Sequence, residues 1–295
     1  VWVPDHLFLP EDRILAYASW GDTSKLDMLE AWTLLSSLAA KTQKVKVGTC
    51  VTPIPLRHPG ILAKMAATID MVSHGRLILG VGLGWCKEEF EAYGISWDRF
   101  SIRHKKMTEG IKVIKKLWTE DGPVTHRGKH YKLKEAPFWP KPLQKPHPPI
   151  WIGGASKAVL ESVAEVGDGW IPGFIEPESF EKGLTKIRTL AKELGRERDV
   201  TPAIQLLTSI APDHETARHL ASPLLARKDI FPTMEDVEKR CVVGTPDDCT
   251  AKIERYIKAG ARCIVLQFTF PRKAKEGLKL YSEKVIPHFK NDVFG

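Results

Sequence analysis

The sequence predicts an α/β fold on parallel strands: a (β/α)8 barrel whose first βα unit is missing from this chain. Three observations carry that expectation. Short β-rich runs alternate with helical periodicity along all 295 residues, as successive βαβ units with right-handed crossovers do. One run, Arg76-Leu-Ile-Leu-Gly-Val-Gly-Leu-Gly-Trp85, is apolar without alternation and ends in spaced glycines. A strand buried on both faces reads that way, and the glycines let a backbone or a flat ligand come close. Seven core strands can be read where such a barrel needs eight, and the chain starts in mid-strand. No first strand-to-helix turn has the dinucleotide-binding pattern with an acidic residue about 20 positions on.

The elements follow in order. Residues 1–4 end a strand, 27–42 carry apolar residues at helical spacing, 45–51 form a strand, and 59–72 a helix with Pro59 at its start. Residues 76–82 form the glycine-ended strand, and 88–93 and 102–118 are helices. A basic hairpin spans 124–133, with Arg127-Gly128 as its turn. The six prolines between 137 and 149 resemble a linker. The next strand, 150–154, begins at once, so the stretch reads as a loop inside one domain that spans 1–295. Then come a helix (158–166), a strand (169–172), a helix (177–194) and a strand (201–210). Two helical pieces follow, 214–227 and 234–242. Thr245 caps a helix running to 259, since Thr favours the cap and Pro246 tolerates the first turn. A last strand, 263–270, and a closing helix, 274–289, complete the pattern.

Composition narrows the function classes. At 43% hydrophobic residues the chain can build a core. No apolar run reaches the roughly 18 residues of a membrane span, and no secretory signal opens the chain. A soluble, cytoplasmic protein is expected. Five cysteines without CxxC spacing argue for reduced thiols, and ten scattered histidines without HExxH argue against a metal site. The net charge of +8 fits either an anionic ligand or a lysine-rich solvated surface. No basic block with interleaved aromatics points to nucleic acid.

Chemistry in such a barrel sits at the C-terminal ends of the strands. Asp5 and His6 follow the first strand directly, where an imidazole can act as acid or base near neutral pH; the alternative is that both tie down the rim. Gly153-Gly154-Ala155-Ser156-Lys157 opens a helix. Small residues, backbone N–H groups and a hydroxyl at a helix start suit a phosphate, and Lys157 adds charge for an anionic tail. Simple capping by Ser156 is the other reading. Gln267, near the end of the last strand, could reach a ring edge.

Several segments together resemble a known family. They are Val1-Trp-Val-Pro-Asp-His6, Val47-Gly-Thr-Cys-Val-Thr-Pro53, Arg57-His-Pro59, the run from Gly75 to Trp85, Pro149-Ile-Trp-Ile-Gly-Gly154, Gly167-Asp-Gly-Trp-Ile-Pro172 and Val243-Gly-Thr-Pro-Asp247. In this order and spacing they resemble the bacterial luciferase-like superfamily, in its coenzyme F420-dependent oxidoreductase branch. The resemblance implies a TIM barrel, a homodimer, and hydride transfer between F420 and a small organic substrate. Reduced FMN in a two-component monooxygenase, or non-catalytic flavin binding, are the alternatives it leaves open. It also implies that His6 is catalytic with Asp5 beside it. Cys50, Val51 and Thr52 would back the ring, with a non-prolyl cis peptide at Cys50-Val51. Gly82, Gly84 and Trp85 would line the ring, and Gly153 to Lys157 would hold its phosphate.

One position departs from the family's sugar-phosphate dehydrogenases. They have a catalytic glutamate where this chain has Trp85, and a tryptophan where it has Pro10. Indole cannot exchange a proton as a carboxyl does, so that mechanism is not expected here and Trp85 is expected in the pocket wall. Glu88 and Glu89 could supply a carboxylate, or could simply be acidic residues in a helix's first turn.

Overall fold

A computed structural model describes residues 1–10, 28–196, 199–268 and 274–289. They divide into two compact units. The first comprises the described residues of 1–7, 28–171 and 186–201; the second comprises the described residues of 8–27, 172–185 and 202–295.

In the first unit every core strand is short and parallel and, but for half-buried Trp2, buried. Strand β1 (Trp2–Val3) pairs with β2 (Val47–Thr49), Trp2 opposite Gly48. After two residues the same segment resumes as β3 (Thr52–Pro53). Both pieces pair with β4 (Leu77–Gly82), whose six residues are all buried. The expected strand 45–51 is therefore interrupted at Cys50-Val51. The hairpin strands are β5 (Val124–Arg127) and β6 (Lys132–Ala136). Beyond them β7 (Ile150–Ile152) continues the parallel set, Leu79 opposite Ile150, and β8 (Gly169–Trp170) follows with Trp151 opposite Gly169.

Helices alternate with these strands. Helix α1 (Ala31–Lys41) starts where Glu30 accepts the N–H groups of Trp32 and Thr33; residue 27 of the expected span lies outside the described residues. Helix α2 (Pro59–Val72) begins at its proline, with His58 accepting the Gly60 N–H. Then come α3 (Lys87–Ala92), α4 (Phe100–Thr119) and α5 (Lys157–Val166).

Arg76 locks α1 to the start of β4. Its buried guanidinium donates to the carbonyls of Ala39 at 2.8 Å, Thr42 at 2.7 Å, Val45 at 2.6 Å and Ser73 at 2.6 Å. These include end-of-helix carbonyls with no partner inside the helix. Arg76→Met should lower unfolding free energy by at least about 3 kcal/mol, since several acceptors lose a charged donor together; urea denaturation measures it.

The proline-rich stretch lies inside the first unit, held by buried Asp70, which accepts the Gln144 N–H at 3.0 Å and its Nε2 at 2.7 Å. Its Trp139-Pro140 and Lys145-Pro146 bonds are cis. The hairpin turn falls later than Arg127-Gly128. Arg127 still pairs with Lys132, and the Gly128 N–H bonds the Tyr131 carbonyl. Glu109 of α4 decides this by accepting the N–H groups of His130 at 3.1 Å and Tyr131 at 2.8 Å.

Helix α6 (Pro177–Glu193) precedes β9 (Thr201–Ile210), the long strand of the second unit. Helices α7 (His214–Ala221) and α8 (Met234–Arg240) follow. The expected helix 214–227 stops at Ala221 and gives way to a 3₁₀ turn over Ser222–Ala226 that carries Pro223 in its first turn. The expected helix 234–242 ends at Arg240. Cys241 is extended, and β-branched Val242 and Val243 with Gly244 form β10 (Val242–Gly244), a parallel strand beyond the seven expected. It pairs with β9, Val242 opposite Thr208, and β-branched residues suit such a buried strand.

Helix α9 (Pro246–Lys258) has the expected Thr245 cap, as a full capping box with Asp248. Strand β11 (Cys263–Phe268) pairs with β9 from Ala203 to Thr208; residues 269–270 lie outside the described set. Helix α10 (Ala274–Leu280) ends earlier than expected, in a π turn over Tyr281–Val285 and a 3₁₀ turn over Ile286–Phe289. Leu207, Ala217, Phe231, Val237 and Val243 form this unit's core. No described helix is long and apolar enough to cross a membrane.

Candidate active site

The expected site residues that precede Gln267 all lie in the first unit, at or past the ends of β1, β2, β4 and β7, with Thr52 opening β3. Asp5 is buried just past β1. Its Oδ2 accepts from Arg57 Nη1 at 2.6 Å, Thr52 Oγ1 at 2.8 Å and Trp32 Nε1 at 3.1 Å, and its Oδ1 accepts from Arg57 Nη2 at 2.9 Å. Both oxygens of an acceptor-only carboxylate are thus committed. Arg57 also reaches Glu30 at 3.0 Å. Thr52 is fully buried and serves this cluster.

His6 is the next residue and turns the other way. Its Nδ1 lies 3.1 Å from Glu89 Oε2, and the other oxygen of Glu89 accepts the Leu7 N–H at 2.5 Å. Glu89 is on α3, only 1% exposed, while its neighbour Glu88 faces solvent. The Trp85 ring stands edge-on to the imidazole, centroids 5.3 Å apart, and remains 39% exposed. Beside it, burial together with the charges of Glu89 and Glu88 pushes the Cys86 thiol up to about 11. That sulfur stays protonated at neutral pH and is no nucleophile.

The Cys50-Val51 peptide is cis, as the resemblance implied. Cys50 is buried and Val51 half-buried. The Val51 side chain occupies the space that side chains at Gly82 and Gly153 would need: a Cβ on Gly82 would lie 2.7 Å from Val51 Cγ2, and one on Gly153 3.1 Å from Val51 Cγ1. The spaced glycines of β4 therefore serve close approach of the neighbouring strand's end, the first of the two needs, backbone or flat ligand, that the sequence left open. Gly84 packs over Phe90.

At the end of β7 the Gly153 N–H is already used, bonding the Val81 carbonyl at 2.8 Å. Gly154 has φ +108°, a conformation open to glycine, and its carbonyl accepts from Trp170 Nε1 at 2.8 Å. Ser156 caps α5 by accepting the Val159 N–H at 3.4 Å. Gly154, Ala155, Ser156 and Lys157 are all exposed at this helix start. In the second unit, Gln267 Oε1 accepts from Gln205 Nε2 at 2.7 Å.

One residue enters that sequence reasoning did not assign, Arg57, and one of two left open, Glu89, is picked out. Arg57 stood within a recognised motif, but only folding shows its pairing with a residue 52 positions away. Glu89 read either as a carboxylate for the site or as a first-turn acid, and nothing local distinguishes it from Glu88; its contact with His6 does. Among the described residues no group of three or more His, Cys, Asp or Glu side chains could hold a metal ion.

A family model described as luciferase-like monooxygenase matches residues 1–263. The chain is 31% identical over 312 aligned positions to the F420-dependent glucose-6-phosphate dehydrogenase of Amycolatopsis mediterranei (strain U-32), covering 97% of this chain and 89% of that protein. It is 32% identical over 200 positions to the FMNH(2)-dependent dimethylsulfone monooxygenase of Pseudomonas putida, covering 68% and 54% respectively. A solved F420-dependent secondary alcohol dehydrogenase in complex with an F420-acetone adduct superposes with a TM-score of 0.84 at 24% identity, covering 97% of this chain and 89% of that one. The α/β barrel expected from the alternation of elements is the fold of this match.

Proposed function

The chain belongs to the luciferase-like monooxygenase family, and we infer that it is an oxidoreductase moving hydride between coenzyme F420 and a small organic substrate. One observation carries the reading at the level of the site. His6, Cys50-Val51, Trp85 and the exposed helix start at Gly154 to Lys157 follow four different strands of one unit, with the rings of His6 and Trp85 in contact.

The residues fit a flat ring with an anionic tail. Gly82 and Gly153 face Val51, and neither has a side chain to stand over it. The exposed start of α5 offers N–H groups, the Ser156 hydroxyl and the Lys157 ammonium to a phosphate. When bound, the deazaflavin carries hydride and, with carbon in place of the reactive flavin nitrogen, activates oxygen poorly. Val51 would support a ring bound there, and Trp85, in contact with His6, would form an apolar wall. His6 holds or takes the proton that accompanies hydride transfer, while Asp5, its oxygens spent on Arg57, Thr52 and Trp32, fixes the strand end that carries His6.

Titrating the protein with F420 and with FMN side by side, followed by ring absorbance, tests the reading. F420 should bind. FMN binding without F420 binding replaces it with the monooxygenase reading, and F420 binding without hydride transfer to any acceptor leaves a binding protein. Ser156→Asp gives a sharper arm. Aspartate caps a helix as well as serine does, so the fold is kept, but its charge opposes a phosphate. F420 affinity should fall at least about tenfold, the equivalent of about 1.4 kcal/mol, with Tm unchanged.

A further inference from the structure

We propose that Glu89 is the positioning residue that sets the tautomer of His6, holding the proton on Nδ1 and presenting Nε2 as the bare, working nitrogen. The proposal rests on His6 handling the proton, as argued above, and adds what makes that ring competent. The two oxygens of Glu89 have different tasks. Oε1 receives the Leu7 N–H at 2.5 Å, and Oε2 faces His6 Nδ1 at 3.1 Å. An ionised carboxylate only accepts, so the nitrogen opposite it in a neutral imidazole is the one that carries hydrogen, and Nε2 has the lone pair. The backbone bond from Leu7 removes the carboxylate's freedom to turn, and its burial keeps water from competing. The Trp85 edge restrains the ring from another side. In the alcohol-oxidising direction, Nε2 would take the proton from the substrate's hydroxyl oxygen, and the carbon bearing that oxygen would give up its hydride to the coenzyme. In the carbonyl-reducing direction, the doubly protonated ring returns that proton to the oxygen.

Glutamine at 89 separates this role from simple anchoring of the strand end. Its single amide oxygen must take the Leu7 N–H, because an NH2 group there would set donor against donor. The NH2 then faces His6 Nδ1 and donates to it, which forces the proton onto Nε2. The same carboxylate-to-amide change in a catalytic triad keeps the geometry and costs about 10⁴-fold in turnover through the wrong tautomer.

The test reads the tautomer by 15N NMR in cofactor-free protein, above the histidine titration range, with His6 assigned by the loss of its signals in His6→Asn. Wild type should show hydrogen on Nδ1, and Glu89→Gln should move it to Nε2. With F420 bound, Glu89→Gln should lower kcat by about 10²–10⁴-fold, with KM and F420 affinity within a few fold of wild type. Hydrogen on Nε2 in the wild type overturns the proposal, and that measurement needs no variant to fold. An unchanged tautomer or unchanged kcat in a folded Glu89→Gln overturns it as well. Because the tautomer is read without coenzyme, failure of the F420 reading leaves a distinct result: the NMR pattern holds while F420 does not bind.

Discussion

His6→Ala should lower turnover by about 10²–10⁴-fold, the usual contribution of a positioned general acid or base, while F420 affinity changes by no more than a few fold. The asymmetry follows from where the side chain sits. His6 contacts Glu89 and Trp85, whereas the groups proposed above to back a ring, Cys50-Val51 beside Gly82 and Gly153, and to hold its phosphate, at the start of α5, are other residues. On that proposal, removing the imidazole deletes the proton carrier and leaves the cradle intact. Steady-state kinetics with a reducible carbonyl, alongside absorbance titration of F420, separates the two quantities. Equal losses in affinity and turnover would place His6 in coenzyme binding and remove it from proton handling.

Arg57→Met should destabilise the fold by about 3–5 kcal/mol, the cost of breaking a buried ion pair from one side. Asp5 would keep its bonds from Thr52 and Trp32 but lose both bonds from the guanidinium, leaving a buried charge without its counter-ion. Arg57→Lys should recover only part of the loss, because an ammonium cannot bridge two carboxylate oxygens as the planar fork does. The change should also show in acid. Burial pushes the Glu30 carboxyl up, but hydrogen bonds from Thr33 and Trp32 and the Arg57 charge outweigh it, so its pKa lies below the ordinary value. A lowered carboxylate pKa contributes stability that is present above the unfolded-state value and is lost as pH falls through the folded-state one. Without Arg57 that acid-sensitive part should shrink. Urea melts at neutral and acid pH measure both effects; a variant as stable as wild type would show that the pair contributes nothing net.

Much of the fold was legible because its causes are local. Pro59 and Thr245 marked helix starts through their own backbone preferences, and α2 runs over the residues its periodicity indicated, Pro59–Val72. The unbroken apolar run at 77–82 meant a strand buried on both faces, and all six of its residues are buried. Ends set by distant partners were not legible. The hairpin turn belongs to Glu109 on another helix, and the strand at Val242–Gly244 exists because β9 offers an edge to pair with.

By itself, the sequence determined the succession of strands and helices, the residues that stand at the strand ends, and, through the motifs collected there, the family. These are matters of propensity, patterning and spacing, each written within a few neighbouring positions. Tertiary structure alone decided what the site residues do to one another. Asp5 and His6 are adjacent in the chain, yet one is spent in a buried ion pair with Arg57, 52 positions on, while the other is turned toward Glu89, 83 positions on. Only the closing of successive βα units brings those side chains within hydrogen-bonding distance. It is that distance that makes a first-turn glutamate on α3 the partner of the imidazole.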